Sequence, residues 1–380
     1  ATAHNNLGLL ELARGQYDAA KNDFEKALAI WRRTLGDNHP NVATVLNNLA
    51  VVYYRQADYD RAESLYRQVL DLRRQRLGDN NPAVAATLSD LGQLEQDRGH
   101  WQQAETLYHQ ALSILRATYG NDHPALAPVY NNLAGALRQR GQYEQALDLY
   151  RKSLAILRQH YGENHPDTAS GWANLAEVYQ AMGKPQRARQ AYDRALRIVQ
   201  SGNEATPMAA AVEESAGNFH RRQGEYDQAE RLLKAALKTR KKLLGPEPPT
   251  VAASLNDLGE VYRRTDRLDQ AKEMYDQALK IYRKRLGRNH PNVATVLNNL
   301  ALLYMQRRQY QQAEGMYRQS LRLQRAAYPP NHPALLDTLH NYAQLLKRMG
   351  RPEDAAKLED EAAERRRSAV AGGHDGTAAP

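Results

Sequence analysis

The sequence predicts an all-α solenoid of nine antiparallel helix pairs, and two series of recurring residues carry this prediction. A small or turn-forming residue, often followed by Tyr and then Ala, returns at positions 15, 57, 99, 141, 183, 224, 266, 308 and 350. Prolines return in step at positions 40, 82, 124, 166, 207, 249, 291 and 333. Both series keep a spacing of 42 residues, with the same single slip to 41. Two markers in phase indicate stacked repeats that share a continuous core.

Each repeat has the pattern of two helices, as residues 40–78 illustrate. Pro40 suits a first helical turn, and apolar residues follow at helical spacing. Ala57 and Asp58 form the tight turn before a second apolar stripe, and Gly78 can take the left-handed conformation that ends a helix. About eighteen helices follow from this count. Where paired helices come closest we expect small residues, namely Ala62, Ala104, Ala146, Ala188, Ala229, Ala271 and Ala313.

Length and composition limit the possible classes. The array is predicted to cover residues 1–367, with an irregular junction near 200–217 and a disordered tail over 368–380. The chain has no cysteine, which excludes disulfides, thiol nucleophiles and cysteine metal sites. No apolar stretch is long enough for a membrane helix, and no signal segment is visible, so a cytoplasmic location is favoured. The chain begins at Ala1 inside a repeat, which leaves an upstream leader or domain open.

Three sequence features resemble the tetratricopeptide repeats of kinesin light chains and their bacterial relatives. They are Asn-Asn-Leu-Ala at Asn47–Ala50 and Asn298–Ala301, the Gly-x-Tyr-x-x-Ala turn, and Leu-Gly-x-x-His-Pro at Leu286–Pro291. The resemblance covers residues 1 to about 367. It implies a right-handed solenoid whose concave groove takes extended peptides, and it identifies the repeat type without identifying a partner.

The sixth repeat departs most from the pattern. The loop before Pro207 is one residue short and lacks the Leu-Gly pair, and Glu214 and Ser215 replace the asparagines. Ala216 and Gly217 replace the usual Leu and Ala, which removes a core leucine and places glycine inside a helix. We therefore expect a weak junction near residues 200–217, acting as a hinge or a change in curvature.

No pattern of catalytic or metal-binding residues stands out. Histidines precede the loop prolines at His39, His123, His165, His290 and His332. One histidine per repeat is too widely spaced to share a zinc ion, so these are expected to help start helices. No phosphate-binding loop, zinc-protease helix or calcium loop is present. We expect no enzyme activity, no cofactor and no metal.

The chain is basic, with 52 Lys and Arg against 43 Asp and Glu, so nucleic acid must be considered. Much of this charge lies at the ends of second helices, where cations complement the helix dipole. The recurring tyrosines are expected to pack in the core, where they cannot stack on bases. Nucleic acid is therefore the less favoured partner, and no membrane partner is expected.

Asparagines on the first helices are the strongest functional signal. One polar position reads Asn6, Asn48, Asn132, Asn174, Asn299 and Asn341, with Asp90, Ser215 and Asp257 as breaks. A preceding asparagine occurs at positions that include Asn47, Asn131 and Asn298. Asparagine is a mediocre helix former, and its amide offers both donor and acceptor. Such a series could bind a peptide backbone or tie neighbouring helices together. The family resemblance, in which this asparagine contacts bound peptide, favours binding.

Arginines lie about two helical turns further along the same helices, at Arg55, Arg138, Arg221, Arg222, Arg263 and Arg264. That spacing places them on roughly the same face as the asparagines, giving the groove a basic wall, although solvated helix ends remain an alternative. We therefore predict a non-catalytic scaffold that binds an extended partner segment, acidic or containing aromatic residues. The alternatives are a nucleic-acid-binding solenoid and a regulatory array within a larger protein. The oligomeric state is left open.

Overall fold

A computed structural model describes residues 1–202 and 205–371, with side chains up to residue 367. The described chain consists of eighteen α-helices in nine consecutive pairs, and it contains no strand over those residues. The helices are α1 (Thr2–Ala13), α2 (Tyr17–Leu35), α3 (Pro40–Arg55), α4 (Tyr59–Leu77), α5 (Pro82–Asp97), α6 (Trp101–Tyr119), α7 (Leu126–Gln139), α8 (Tyr143–Tyr161), α9 (Pro166–Ala181), α10 (Pro185–Ser201), α11 (Pro207–Arg222), α12 (Tyr226–Leu244), α13 (Pro249–Arg264), α14 (Leu268–Arg285), α15 (Pro291–Gln306), α16 (Tyr310–Ala327), α17 (Pro333–Arg348) and α18 (Pro352–Ala371). The predicted helix-pair architecture is confirmed.

Four of the five loop histidines cap first helices, as their position before proline predicts, while His123 accepts a bond from Ala125 N–H just before α7. The Nδ1 atom of His39 accepts a hydrogen bond from the backbone N–H of Asn41 at 3.1 Å. His165, His290 and His332 make the same bond as N-caps of their helices, at 3.1, 3.1 and 3.2 Å. These histidines therefore satisfy free N–H groups of the first turn, which is a structural role.

The turns between paired helices require left-handed backbone. Glycine supplies it in six of the repeats, for example at Gly141 with φ of 78°. Ala57, Asp266 and Arg308 adopt the same conformation, with φ of 58°, 59° and 60°. Side chains with a Cβ are strained there, so these three turns carry a conformational cost that the glycine turns avoid.

The core follows the predicted small-residue and aromatic positions. The seven alanines expected at the closest approach of paired helices are all fully buried. The tyrosines of the second helices are also buried, namely Tyr66, Tyr108, Tyr150, Tyr192, Tyr275 and Tyr317. Their rings pack inside the array and are closed to stacking with bases.

The described residues form two compact units, which divide between Ser254 and Leu255. Within each unit, successive first helices lie against one another, for example α1 with α3, α7 with α9, and α15 with α17. The second helices pack onto first helices. The first helices therefore line the inner side of each unit, and the second helices form its outer side.

The sixth repeat is packed more closely than the sequence suggests. Gly217 faces Leu233, and a Cβ added at Gly217 would lie 2.9 Å from Leu233 Cγ. The absence of a side chain at Gly217 therefore makes room for Leu233. The sequence analysis treated Gly217 only as a residue that weakens a helix, and the structure adds this packing role. Phe219 is buried and lies against the ring of Tyr192, with centroids 5.2 Å apart, beside the small Ala216. The expected hinge stays a prediction.

The C-terminal boundary differs slightly from the prediction. The backbone of α18 continues to Ala371, so residues 368–371 extend the last helix. The rest of the expected tail lies outside the described residues.

Candidate functional site

The predicted asparagines lie on the first helices, on the inner side of each unit. Asn48, Asn132, Asn174, Asn299 and Asn341 are half-buried, and Asn6 is exposed. Each side chain is therefore partly or fully open to solvent. This accessibility is the first requirement for contact with a partner.

Three of these amides also link consecutive repeats. The Nδ2 atom of Asn48 donates to Asn5 Oδ1 at 2.9 Å, and that of Asn299 donates to Asn256 Oδ1 at 2.8 Å. Asn132 Nδ2 donates to Ser89 Oγ at 3.3 Å. Each bond uses one of the two N–H groups of the donor amide, and the Oδ1 atom of that amide takes no part in it. The structure thus gives these three amides a structural role between repeats, and Asn299 Oδ1 also accepts a hydrogen bond from Asn298 Nδ2 at 3.5 Å.

The asparagines that precede this position behave differently. The Oδ1 atoms of Asn47, Asn131 and Asn298 are buried and have no hydrogen-bond partner within the described residues. Because these atoms are closed to solvent, a peptide on the inner surface does not reach them in this conformation. Any contact with Asn47, Asn131 or Asn298 would have to involve another atom or a rotated side chain.

The third repeat places a carboxylate in the asparagine series. Burial raises the pKa of Asp90 to about 6, while the positive charge of Arg73 and a hydrogen bond from Asn47 oppose this rise. The junction between α3 and α5 therefore joins an amide to a carboxyl group, where the junctions of Asn48 and Asn299 join two amides. A buried carboxylate is costly in a position where the neutral amide is well tolerated.

The predicted arginines differ in how far their charges are neutralised. Arg138 pairs with Glu177, with an N–O distance of 3.2 Å, and its Nε atom is buried without a hydrogen-bond partner in the described chain. Arg263 binds both carboxylate oxygens of Glu260, at 2.9 and 2.7 Å, and Arg264 contacts the same carboxylate at 2.8 Å.

Of the other three arginines, Arg221 bonds to a residue of its own helix, and Arg55 and Arg222 are exposed. Arg221 donates to Asn218 Oδ1 at 3.1 Å, Arg222 is exposed, and Arg55 is exposed with its guanidinium 6.0 Å from the ring centre of Tyr54. The inner surface is therefore mixed in charge, because acids that the sequence places on it neutralise part of the arginine series.

One polar cavity brings two predicted residues together. Arg138 of α7 and Arg222 of α11 both line a cavity of about 280 Å³ that also includes Glu177 and Gln180 of α9. Ser215, one of the breaks in the asparagine series, and Asn218 contribute further hydrogen-bonding groups from α11. Three consecutive first helices thus present donors and acceptors to one small space on the inner surface.

One contact on this surface was not predicted from the sequence. The Tyr54 hydroxyl donates a hydrogen bond to the Asp97 carboxylate of the next repeat. Burial raises the pKa of Asp97, against the hydrogen bonds from Tyr54 and Gln93. Tyr54 and Asp97 are separated by one repeat and one residue, the same spacing that joins Asn48 to Asn5. That shared spacing is the sequence signal that could have predicted the contact.

The described residues contain neither a metal-binding cluster nor a membrane-spanning helix. No group of three or more His, Asp or Glu side chains there is arranged to hold a metal ion. Within the same part of the chain, no helix has the length and apolar character needed to cross a membrane.

Comparison with solved structures finds the same fold elsewhere. A Rap protein complexed with Competence and Sporulation Factor matches with a TM-score of 0.64 at 14% identity, over 97% of this chain and 98% of that one. A chain of the APC/C hetero-tetramer Cut9-Hcn1 matches with a TM-score of 0.52 at 16% identity, over 88% of this chain and 54% of that one. BtubC (BKLC) from P. vanneervenii matches at 21% identity with a TM-score of 0.49, over 64% of this chain and 94% of that one. No curated protein sequence matches the chain.

The family comparison is decisive for the repeat type. The tetratricopeptide repeat model matches residues 1–75, 58–117, 83–159, 129–201, 208–284, 250–326 and 292–368. These overlapping matches cover nearly all of the helix pairs described above. The chain therefore belongs to the tetratricopeptide repeat family, whose repeats form scaffolds for protein–protein interaction.

Proposed function

We propose that the inner surface of this scaffold binds an extended segment of a partner protein. The observation that carries the proposal is the polar cavity of about 280 Å³ formed by α7, α9 and α11. Its size suits one side chain or a short stretch of backbone, and it is smaller than the pockets that usually enclose a whole small molecule. The half-buried asparagines on neighbouring first helices would hold the backbone on either side.

The chemistry of the cavity indicates the kind of segment. Arg138 is paired with Glu177, whereas Arg222 is exposed and lies in the same cavity. An acidic side chain could accept hydrogen bonds from the exposed guanidinium of Arg222. Backbone groups of the segment could exchange hydrogen bonds with the amides of Asn132 and Asn174. An extended segment with at least one acidic residue therefore fits best.

A photo-crosslinking experiment tests this proposal. A photoreactive amino acid would replace Arg222 on the inner surface or, as the matched control, Arg197, an exposed residue of α10 on the outer side. After irradiation in lysate of the source organism, mass spectrometry would identify the attached peptides. We expect one recurring partner segment from position 222 and none of it from position 197. Equal capture at both positions would contradict a specific inner site.

Affinity measurements with the recovered segment provide the second arm. The double change Asn174→Ala and Arg222→Ala should weaken binding about tenfold or more, because two hydrogen-bonding groups are lost. Its melting temperature should stay within a few degrees of the original, since both residues are at least partly open to solvent. Arg197→Ala should leave the affinity unchanged. A large loss of stability with unchanged affinity would show that the inner asparagines and Arg222 are structural.

A further inference from the structure

A second cavity lies on the outer side of the C-terminal unit. It has a volume of about 760 Å³ and is formed by α14, the loop after it, the start of α15, and α16. Its rim carries five cations, Lys280, Arg283, Lys284, Arg288 and Arg322. All five are exposed. The cavity is distinct from the inner surface, because second helices and a loop provide its rim.

Cations outnumber acids among the residues that line the cavity, and one of these cations, Lys284, already has a partner. Asp276 is the one acidic residue among the described residues that line the cavity, and its carboxylate accepts a hydrogen bond from Lys272 Nζ at 2.6 Å. Lys272 lies outside the cavity lining and already engages that carboxylate. A concave site with an excess of one charge sign concentrates the field and attracts the opposite charge. The rim is therefore suited to an anionic ligand.

The array contains a matched cavity three repeats earlier, which shows that this charge is not required by the fold. That cavity has a volume of about 540 Å³. Its residues correspond in order to those of the later cavity: Arg158 to Arg283, Glu163 to Arg288, Arg197 to Arg322 and Ile198 to Leu323. Arg158 Nε donates to Glu163 Oε1 at 2.6 Å. The corresponding arginines of earlier repeats also pair with a loop acid, Arg32 with Asp37 at 3.1 Å and Arg74 with Asp79 at 3.4 Å.

The seventh repeat reverses this ion pair. Arg288 stands where the first, second and fourth repeats have Asp37, Asp79 and Glu163, and it lines the same cavity as Arg283, so a like charge replaces the acid there. Like charges brought together on a surface are unfavourable unless a counter-charge joins them. A bound anionic group between Arg283 and Arg288 would supply that counter-charge. The reversal is the observation that points to a ligand.

The floor of the cavity restricts the class of ligand. Leu279 and Leu323 of the flanking helices form it and are 9% and 6% exposed, while Val293 and Leu297 of α15, which also line the cavity, are each 1% exposed. No aromatic residue is among the described residues that line it, so it offers no platform for base stacking. Its volume is also far larger than a phosphate group needs. An aliphatic floor below a basic rim matches a chain segment that carries both aliphatic and acidic side chains.

We propose that this outer cavity is a second docking site, for an acidic, leucine-rich segment of a partner protein. The aliphatic side chains lie over Leu279 and Leu323, while the acidic ones pair with Arg283, Arg288 and Arg322. A peptide seated between two parallel helices in this way resembles other groove-binding segments. The site acts independently of the inner surface, so one scaffold could hold two partner segments at once.

The test uses a fluorescein-labelled peptide of alternating Glu and Leu, with a peptide of alternating Gln and Leu as its control. Fluorescence anisotropy would measure binding to the full chain. Arg322→Glu and Arg288→Glu should each weaken binding of the Glu-Leu peptide about tenfold or more. Arg197→Glu is the matched control, since it makes the same change in net charge at the corresponding position of the earlier cavity. It should change the affinity by less than about twofold.

The Arg288→Glu change also guards against an unfolded variant. It restores the Arg–Glu pair of earlier repeats, so its melting temperature should equal or exceed that of the original chain. Equal losses for Arg197→Glu and Arg322→Glu would overturn the inference, because general charge attraction would explain both. So would equal binding of the Gln-Leu peptide.

Two further results would assign the ligand elsewhere. Tighter binding of an oligouridylate, weakened by the same two changes, would make the cavity a nucleic-acid site and refute the protein segment. Loss of peptide binding in the Asn174→Ala and Arg222→Ala variant, with Arg322→Glu unaffected, would place the peptide on the inner surface. That last outcome refutes the outer site and leaves the proposed function of the inner surface intact.

Discussion

Residues 40–50 and 291–301 have the same sequence, Pro-Asn-Val-Ala-Thr-Val-Leu-Asn-Asn-Leu-Ala, and begin the first helices α3 and α15. Their local structures agree closely. Each helix is capped by a histidine whose Nδ1 accepts an N–H bond at 3.1 Å. In each, the second asparagine donates to the preceding repeat, Asn48 to Asn5 and Asn299 to Asn256.

The two segments differ in what the following repeat offers. Asn47 faces Asp90, whereas the corresponding position after Asn298 is Asn341. The buried carboxyl of Asp90 has a raised pKa, and a neutral amide at position 341 has no such cost. The two identical segments therefore form the same helix with the same cap, while the chemistry of each junction depends on a residue one repeat away.

The largest effect is expected from exchanging the two junction residues. Asp90→Asn should make the junction between α3 and α5 resemble the junction between α15 and α17. The difference between a pKa of about 6 in the folded chain and the ordinary value of 3.8 corresponds to about 3 kcal/mol, which is an upper figure because the side chain keeps some solvent contact. We expect a gain of about 1–2 kcal/mol at pH 7 in the free energy of unfolding, measured by urea denaturation. Asn341→Asp, the mirror change, should lower it.

The pH dependence gives this prediction its sign. Because the pKa of Asp90 is higher in the folded chain than in the unfolded chain, folding takes up a proton between about pH 4 and pH 6. The stabilisation that comes from proton uptake by Asp90 is fully present below about pH 4 and is lost as the pH rises through about 6. The advantage of Asp90→Asn over the original chain should therefore shrink as the pH falls from 7 to 4. A constant difference across this range would show that Asp90 is already ionised freely in the folded chain.

The fold could be predicted because its determinants are local. Proline starts most first helices and histidine caps four of them, glycine ends most second helices, and alanine marks the closest helix contact, all at a nearly fixed spacing. Junction chemistry could not be predicted in this way. The role of Gly217 depends on Leu233 across the helix pair, and the partner of Asn47 depends on Asp90 in the next repeat.

The candidate site was predictable only in part for the same reason. The sequence indicated the face on which asparagines and arginines lie, since helical spacing determines it. It did not indicate which amide atoms are used between repeats or which arginines are neutralised. Arg138 and Arg263 have acidic partners, while Arg222 is exposed in the inner cavity.

A smaller effect is expected from removing the shared inter-repeat bond. Asn48→Ala and Asn299→Ala each delete one amide–amide hydrogen bond between first helices, of 2.9 and 2.8 Å. A neutral hydrogen bond contributes about 1 kcal/mol, so each change should lower the free energy of unfolding by about that amount. Because the two segments are identical, the losses should agree within a few tenths of a kcal/mol. A loss in only one variant would mean that the junctions differ in more than residues 90 and 341.

The smallest effect concerns the turns that follow the same two helices. Ala57 and Arg308 adopt left-handed backbone, with φ of 58° and 60°, where most repeats have glycine. Glycine relieves the Cβ contact, which costs about 1–2 kcal/mol, but it also increases the freedom of the unfolded chain by about 0.5–1 kcal/mol. We therefore expect Ala57→Gly and Arg308→Gly each to raise the free energy of unfolding by about 0.5–1 kcal/mol. Gly141→Ala is the matched control, since its φ is 78° and no atom lies within 4 Å of an added Cβ, so only backbone strain opposes it. That change should lower stability by about the same amount, and a gain would show that the turns tolerate a Cβ without strain.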